Sequence, residues 1–253
     1  MKDFNTQKRT TLNFLLLAIF LLIGGIEAYS QSQTRIARVG ENNSAGRIWN
    51  NIGNITADDL NYATAALAGN ETSRYLRARD FGFTIPTGAT ITGITANIMR
   101  QSSSNTGGNS VNDNVVRLIK NLTLVVPNYA SAADWPTSMS AANYGVGTTD
   151  LWGTTWTDTD INNPNFGLVL RVTNESNNNR TASVDYIEIT VYYTNPIPTI
   201  TNFTPNNACV NSGTTVTITG TNFTGATNVT FNGTAATFTV NSNTQITAVL
   251  PNG

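Results

Sequence analysis

The sequence predicts an all-β protein built from two β-sandwich modules behind an N-terminal signal peptide. Short runs of alternating apolar and polar residues recur along the chain, and Gly-, Asn- and Ser-rich segments separate them, which is typical of strands and turns. Charged residues make up only 11% of the chain, and Thr and Asn, which favour strands and turns, take their place. Residues 189–253 carry no Asp, Glu, Lys, Arg or His, which favours a structural or adhesive role.

The composition excludes several classes of function. The chain has no histidine, which removes the Ser-His-Asp and Cys-His arrangements for nucleophilic catalysis. Cys209 is the only cysteine, so the chain forms neither an internal disulfide nor a cysteine cluster for zinc. The formal net charge of −1 gives no electrostatic basis for binding nucleic acid or an anionic membrane. We therefore expect a non-enzymatic protein without a cofactor.

Residues 1–30 have the order of segments found in a secretory signal peptide. Basic residues precede an apolar run at 14–26, which is shorter than the ~20 residues that span a bilayer. Ala28 and Ser30 then supply the small side chains of a cleavage site. The mature chain is expected to begin near Gln31 and to be secreted or displayed on a bacterial surface, with no membrane contact after cleavage. An uncleaved anchor is the alternative.

Residues 36–195 are predicted to form the first sandwich. Alternating runs predict strands at 94–99, 166–172 and 187–193, and a further strand is expected at 115–119. Polar segments at 102–110 and 174–179 are expected to be loops. Residues 57–68 have helical propensity and begin with two Asp residues that would serve as a cap. We nevertheless predict a turn leading into a strand there, because the surrounding sequence is β.

Two prolines predict a boundary after residue 195. Pro196 and Pro198 cannot continue a central strand, so residues 196–253 are assigned to a second module. Its predicted strands lie at 199–203, 214–219, 228–231, 235–240 and 245–250. Asn232 and Gly233 predict a tight hairpin turn, since both residues tolerate positive φ.

Three motifs in the second module carry a family resemblance. They are GTTVTITGTNF at 213–223, VTFNG at 229–233 and QITAVLP at 245–251, preceded by Pro198, Ile200 and Pro205. They resemble the IPT/TIG family of immunoglobulin-like domains, and we expect Val216 and Ile218 to face the core. In that family the pattern continues past the position of Pro251 for about two more strands. The resemblance therefore implies a truncated module in the N-terminal part of a longer protein. A cysteine in the missing strands could then pair with Cys209.

The first module carries a second resemblance. Its motifs are FGFTIPTGATITGI at 81–94, LWG at 151–153 and VDY at 184–186, with shorter matches at 156–157, 160–162 and 166–167. They resemble jelly-roll-type β-sandwiches of bacterial surface and phage virion proteins. This resemblance implies a fold and no activity.

Oxygen-bearing side chains alternate in one segment as they do in calcium loops. Asp158, Asp160 and Asn162 are the candidate ligands for a cation that takes 6–8 oxygens. The segment lacks the glycine found at position 6 of an EF-hand loop. It also lacks the acidic residue at position 12, which is Val169 here. We favour the interpretation that Asp160 caps a turn by bonding nearby backbone N–H groups.

Aromatic side chains and carboxylates supply the remaining candidates. Trp135, Trp156 and Tyr144 could stack on sugar rings, although aromatic residues more often fill sandwich cores. Paired carboxylates hydrolyse glycosides without histidine. The candidates for such a pair are Asp58, Asp59, Asp150, Asp158, Asp160 and Glu175.

Together these features favour an exported, non-catalytic surface or secreted protein with a structural, adhesive or ligand-binding role. Its partner would be a carbohydrate or another surface protein, and loops on a rigid scaffold are the expected place for recognition. One alternative is a carbohydrate-binding accessory region of a secreted polysaccharide-degrading enzyme. A glycosidase with paired carboxylates is the less favoured alternative. Exposed aromatic residues in a groove would favour the former, and facing carboxylates the latter.

Overall fold

The computed structural model describes residues 30–105, 109–208 and 213–251. Contacts divide the described chain into two compact units, one ending at Asn195 and one beginning at Pro196. Every named strand pair is antiparallel, which confirms the all-β class. The predicted signal peptide up to residue 29 and Cys209 lie outside the described residues. None of the described residues belongs to a helix long and apolar enough to cross a bilayer.

The described residues of the first unit form ten strands and three short helical turns. The strands are β1 Ser30–Ile36, β2 Val39–Asn43, β3 Ala63–Leu67, β4 Tyr75–Arg79, β5 Thr90–Ser102, β6 Val111–Lys120, β7 Thr123–Leu124, β8 Ser140–Tyr144, β9 Gly167–Asn174 and β10 Arg180–Thr194. The helical turns are two 3₁₀ segments, Ile52–Ile55 and Gly147–Thr149, and α1, Asp158–Ile161. The three strands predicted from alternation in this module fall on β5, β9 and β10, and the further strand expected at 115–119 falls on β6.

These strands form two sheets with jelly-roll connections. Sheet I has the order β1-β10-β5-β8, and β3 also pairs with β10. Sheet II has the order β2-β4-β9-β6-β7. From β3 to β10 the chain crosses repeatedly between the sheets, so that β3-β10-β5-β8 faces β4-β9-β6-β7. This is the arrangement of a double-sheet jelly roll, and it confirms the predicted resemblance.

The space between the two sheets is filled by apolar side chains from alternate positions of facing strands. Ile98 and Ile189 in sheet I and Leu118 and Leu170 in sheet II are all 0% exposed. Each such side chain contributes about 1.5–3 kcal/mol when it is fully buried. The period-two pattern of the sequence therefore has a direct physical cause, because only one face of each strand meets the opposite sheet.

The segment at 57–68 follows the prediction of a turn and then a strand. Leu60 has a left-handed φ of 62°, which interrupts any helix started by the preceding Asp residues. The chain then enters β3, whose residues Ala63, Ala65 and Leu67 are buried. Pairing with β10 and burial in the core therefore outweigh the local helical propensity.

The second unit is a smaller sandwich around its own core. Its strands are β11 Thr199–Thr204, β12 Thr215–Thr221, β13 Thr230–Phe231, β14 Thr234–Ala235, β15 Phe238–Ser242 and β16 Gln245–Val249. The sheet order is β11-β12-β16-β15, and β13 and β14 form a hairpin. Val216 and Ile218 are buried as expected.

Local turn chemistry shapes this second unit. Asn232 and Gly233 have φ values of 48° and 85°, which confirms the predicted hairpin turn. The prediction of a single strand at 235–240 is wrong. Within that segment the backbone leaves the hairpin strand β14 and enters β15 of the larger sheet. Ala236 N–H donates to Val229 on the hairpin side, whereas the carbonyl of Thr237 accepts from Val249 of β16.

Gly220 is required by a close approach inside the second unit. A Cβ at this position would lie 1.9 Å from the Thr199 carbonyl oxygen and 2.5 Å from the Phe223 ring. We expect Gly220→Ala to destabilise this unit by roughly 1–3 kcal/mol, as overpacking does, and to lower its melting transition in differential scanning calorimetry. Gly53→Ala is the control, since nothing lies within 4 Å of a Cβ there. An unchanged melting profile for Gly220→Ala would contradict this packing.

Candidate functional site

Two of the aromatic residues considered for ligand stacking surround a buried ion pair between the sheets. Asp113 of β6 accepts hydrogen bonds from Arg100 of β5, from Trp135 Nε1 at 2.9 Å and from the Tyr144 hydroxyl at 2.9 Å. Its side chain is fully buried. The backbone N–H of Ser131 donates to the second carboxylate oxygen at 3.0 Å. Asp113 thus joins the two sheets through several donors.

This network occupies the faces of both rings. The Arg100 guanidinium carbon lies 4.7 Å from the Trp135 ring centroid and 5.7 Å from that of Tyr144, within cation–π range. Burial, and then the charge of Asp113, raise the pKa of Tyr144, so its hydroxyl stays a donor. The stacking hypothesis for Trp135 and Tyr144 is corrected here: their exposed fractions are 0% and 5%, and their polar atoms serve Asp113.

Trp156, the third stacking candidate, also belongs to the core. Its Nε1 donates to the Leu151 carbonyl at 2.9 Å, and its ring meets Phe166 edge to face at 5.4 Å. Lys120 Nζ lies 5.4 Å from the ring centroid on the other side. Only 6% of the residue is exposed. The ring is therefore not available to a ligand, and the stacking hypothesis is wrong for Trp156 as well.

Two of the three calcium candidates, Asp160 and Asn162, are engaged in local structure, and Asp158 begins α1. Asp160 accepts from the Thr157 N–H at 2.9 Å and completes a capping box at the start of α1, which confirms its predicted role as a turn cap. It also pairs with Lys120 Nζ at 2.9 Å. The Asn162 side chain bonds both backbone groups of Ile85. In the described ranges, no group of three or more His, Cys, Asp or Glu residues is placed to hold a metal ion.

Asp150 is likewise held by protein donors. The Tyr129 hydroxyl reaches its Oδ2 at 2.7 Å, and the N–H groups of Val146 and Trp152 donate to it. Burial works against the carboxylate, but these three donors outweigh it and hold the pKa of Asp150 below its usual value. The same burial and the carboxylate raise the pKa of Tyr129 to about 12. The pair has a structural explanation without catalysis.

Four other carboxylates gather where β10 bulges, and we call them the acidic edge: Asp58, Asp59, Asp185 and Glu188. Asp185 is 0% exposed, and its Oδ1 accepts from the Leu60 N–H at 3.1 Å, while its Oδ2 has no hydrogen-bond partner. Burial first, and then the charges of Asp58 and Asp59, raise the pKa of Asp185. Burial and Asp58 also raise the pKa of Glu188. Among the described ion pairs, none includes these four.

The sequence predicts Asp58 and Asp59 as candidates for a carboxylate pair, whereas Asp185 and Glu188 join them only in the folded structure. The register of β10 shifts between Val184 and Ile187, and this irregularity lets the loop before β3 fold over the strand. An acidic residue inside an otherwise apolar strand was the available signal. The other named carboxylates are placed elsewhere: Asp150 and Asp160 are held as described, and Glu175 is exposed.

The outer face of sheet I presents tyrosines among polar groups that are neutral apart from Glu188. Tyr186 and Tyr192 of β10 are partly exposed, and Glu188 and Thr190 lie between them at outward positions. The neighbouring strands add polar partners in register. Thr34 bonds Thr190 at 2.8 Å, and Asn97, opposite Glu188, donates to Asn143 at 2.8 Å. This face offers ring surface, hydroxyls and amides to a ligand.

The outer face of sheet II has a different character. Its outward positions include Arg77 and Arg79 of β4, Arg117 of β6 and Arg171 of β9, with Glu41 of β2 as their neighbour. The two faces of one sandwich thus differ in charge. The outer face of sheet I combines tyrosines with the single acid Glu188, whereas the outer face of sheet II is rich in arginine.

Comparisons with known proteins place the second module in a family. Residues 198–253 match the family model described as IPT/TIG domain, which confirms the predicted resemblance. No curated protein matches the sequence significantly.

Three solved structures illustrate the structural likeness of the chain. A structure described as "CBM4 structure and function" is 10% identical, with a TM-score of 0.31, over 62% of this chain and 92% of that chain. A beta-1,2-glucanase from Parabacteroides distasonis is 13% identical, with a TM-score of 0.35, over 76% and 27%. A family two carbohydrate esterase from Cellvibrio japonicus is 16% identical, with a TM-score of 0.27, over 68% and 37%. At these scores the likeness defines neither a ligand nor an activity.

The acidic edge generates a pH-dependent prediction. Because the pKa of Asp185 is raised in the folded state, its ionised form opposes folding above that pKa, and the opposition disappears as the carboxyl protonates. Asp185→Asn keeps an acceptor for Leu60 and removes the charge. We expect this variant to melt a few degrees above the wild type at pH 7.5, and the difference to vanish towards pH 4.

Asp150→Asn is the matched control for this experiment, with the opposite sign. The folded-state pKa of Asp150 is lowered, so its carboxylate stabilises the fold at neutral pH and loses that effect on acidification. This variant should melt below the wild type at pH 7.5, with a gap that closes at low pH. Thermal melts in which Asp185→Asn is less stable than wild type at pH 7.5 would contradict the assignment.

Proposed function

We propose that this chain is an exported, non-catalytic protein that binds a neutral carbohydrate on the outer face of sheet I. The observation that carries the proposal is the pair of partly exposed tyrosines, Tyr186 and Tyr192, on one strand with hydroxyl and amide groups beside them. Export rests on the signal-peptide pattern of residues 1–30.

The chemistry of this face suits a sugar chain. A tyrosine ring offers a flat apolar surface with a polar tip, and sugar rings have apolar faces bordered by hydroxyls. Binding sites combine such apolar surface with a few placed polar groups, which Asn97, Asn143 and Thr190 supply here. Tyr186 and Tyr192 are six residues apart on β10, which corresponds to about 20 Å at the rise of an extended strand. The face can therefore accompany several sugar units of an extended chain.

The charges near this face favour a neutral ligand. Glu188 lies between the tyrosines, and the acidic edge continues from it towards Asp58. A carboxylated or sulfated chain would be repelled there, whereas sugar hydroxyls donate hydrogen bonds to a carboxylate. Burial and the charge of Asp58 raise the pKa of Glu188, so the local field at this carboxyl is negative.

Two alternative roles have less support. A purely structural or adhesive module would use this face against another surface protein, and that role leaves the polar groups between the tyrosines without a specific purpose. A glycosidase would need two carboxyl groups facing the substrate. Asp185 is 0% exposed and bonded to Leu60, so it is not available to pair with Glu188 at a substrate, and Asp58 and Asp59 lie in an exposed loop.

Affinity electrophoresis tests this proposal with the full chain in gels containing soluble β-glucan, xylan or galactomannan. We expect at least one neutral polysaccharide to retard the wild type, and Tyr192→Ala to weaken binding about tenfold, which equals ~1.4 kcal/mol. Tyr75→Ala is the matched control, because Tyr75 is a partly exposed tyrosine of the outer face of sheet II. Circular dichroism verifies the fold of each variant.

Two results would refute the assignment of this face. The first is wild-type binding to a neutral polysaccharide that Tyr192→Ala leaves unchanged. The second is an equal loss in Tyr75→Ala, which would place the ligand elsewhere. Hydrolysis of a retarding polysaccharide, detected as new reducing ends and abolished by Glu188→Gln, would instead support the glycosidase.

A further inference from the structure

Four arginines lie side by side on the outer face of sheet II, and we call them the arginine face: Arg77, Arg79, Arg117 and Arg171. The register sets their arrangement. Arg77 of β4 and Arg117 of β6 both pair with Val169 of the strand between them, and Arg171 lies two residues further along that strand. The neighbouring strand β2 contributes one acid, Glu41, opposite Arg77. Among the described ion pairs, Glu41 is the only carboxylate that pairs with any of these four arginines.

The hydrogen bonds and ion pairs leave much of this cationic surface unused. Glu41 binds Arg79 closely and lies 3.8 Å from Arg77. Arg171 donates Nε to the Ser73 carbonyl at 3.0 Å and stacks over Tyr75 at 5.6 Å. The Arg117 side chain forms no hydrogen bond or ion pair with any residue that the structure describes, and the buried Nε atoms of Arg77 and Arg117 have no partner there.

Covering apolar surface explains the stems of these side chains but not their charges. Val169 and Ile119 point away from the main core yet are 0% exposed, and Arg77 and Arg117 flank Val169 in the register, where long arginine stems can cover apolar surface. An uncharged long side chain would cover them equally well. In a chain with only 11% charged residues, four guanidinium groups on one face repel one another unless an anion joins them.

We propose that the arginine face binds an anionic polysaccharide through its carboxylate groups. Guanidinium groups pair with carboxylates in a bidentate, directional manner. Arg77 and Arg117 are separated by one intervening strand, so their Cα atoms lie about 10 Å apart, and a row of this width matches an extended polyanion better than one small anion. This surface is independent of the neutral-sugar site proposed on sheet I.

The other charges of the unit confine such binding to the outer face of sheet II. The acidic edge on sheet I repels a polyanion, and the net charge of −1 disfavours the long, wrapped contacts that nucleic acids require. A uronic acid polymer, which carries one carboxylate per sugar and many neutral hydroxyls, has the chemistry that this face accepts. A protein bearing both kinds of face could hold a neutral and an acidic glycan at once.

Biolayer interferometry with immobilised polygalacturonate and the full chain tests the proposal. We expect binding at 50 mM NaCl that falls steeply by 300 mM NaCl, as charge pairing requires. The double variant Arg77→Gln/Arg117→Gln, which keeps long stems over Val169, should bind at least tenfold more weakly with a shallower salt dependence. Arg117→Lys, which keeps the charge but loses the planar fork, should fall between the two.

Arg35→Gln/Arg47→Gln is the matched control, because it removes the same charge from two exposed positions outside the strands that carry the arginine face. This control should bind within twofold of wild type, and an equal loss there would overturn the proposal. So would absence of wild-type binding to polygalacturonate, or tighter binding to single-stranded DNA than to polygalacturonate. Concentration-dependent self-association in sedimentation velocity that Arg77→Gln/Arg117→Gln abolishes would assign the face to a second copy of the chain and overturn it too.

Discussion

The fold of the first unit depends on complete filling of the space between its two sheets. Period-two alternation sends apolar residues inward, and the buried carboxylate that lies between the sheets, Asp113, is satisfied by Arg100, Trp135 and Tyr144. A buried ion pair stripped of any partner is strongly destabilising, so the aromatic donors are committed to it. The large rings are thereby committed to the core, and the recognition that we propose is assigned to the outer faces of the sheets.

The two outer faces differ because the jelly-roll topology gathers different strands on each. The bulge of β10 lets the loop before β3 fold over sheet I and brings Asp58 and Asp59 beside Asp185 and Glu188. In sheet II, β9 lies between β4 and β6, so arginines distant in sequence become neighbours. The unit is therefore electrically two-sided, although the whole chain has a net charge of only −1. Opposite faces of one rigid scaffold can then select chemically different ligands.

Local features were predictable from the sequence, and long-range ones were not. Alternation located the major strands, Asn232-Gly233 located a hairpin, and Asp160 was identified as a turn cap, because each depends on neighbours within a few residues. The exposure of Trp135 or Tyr144 depends on Asp113, a contact that only strand crossing between sheets creates. The arginine face likewise depends on register between β4, β9 and β6, which periodicity alone does not define.

The central claim, that recognition occurs on a sheet face and not in the loops at the ends of the sandwich, is tested most directly by NMR. Amide chemical shifts of the ¹⁵N-labelled chain would be followed during titration with a neutral oligosaccharide taken from a polysaccharide that retards the protein. The account predicts that the largest changes fall on β10 around Thr190 and on its partner Asn97 of β5. Changes confined to the loops at 103–105 and 175–179 would contradict it.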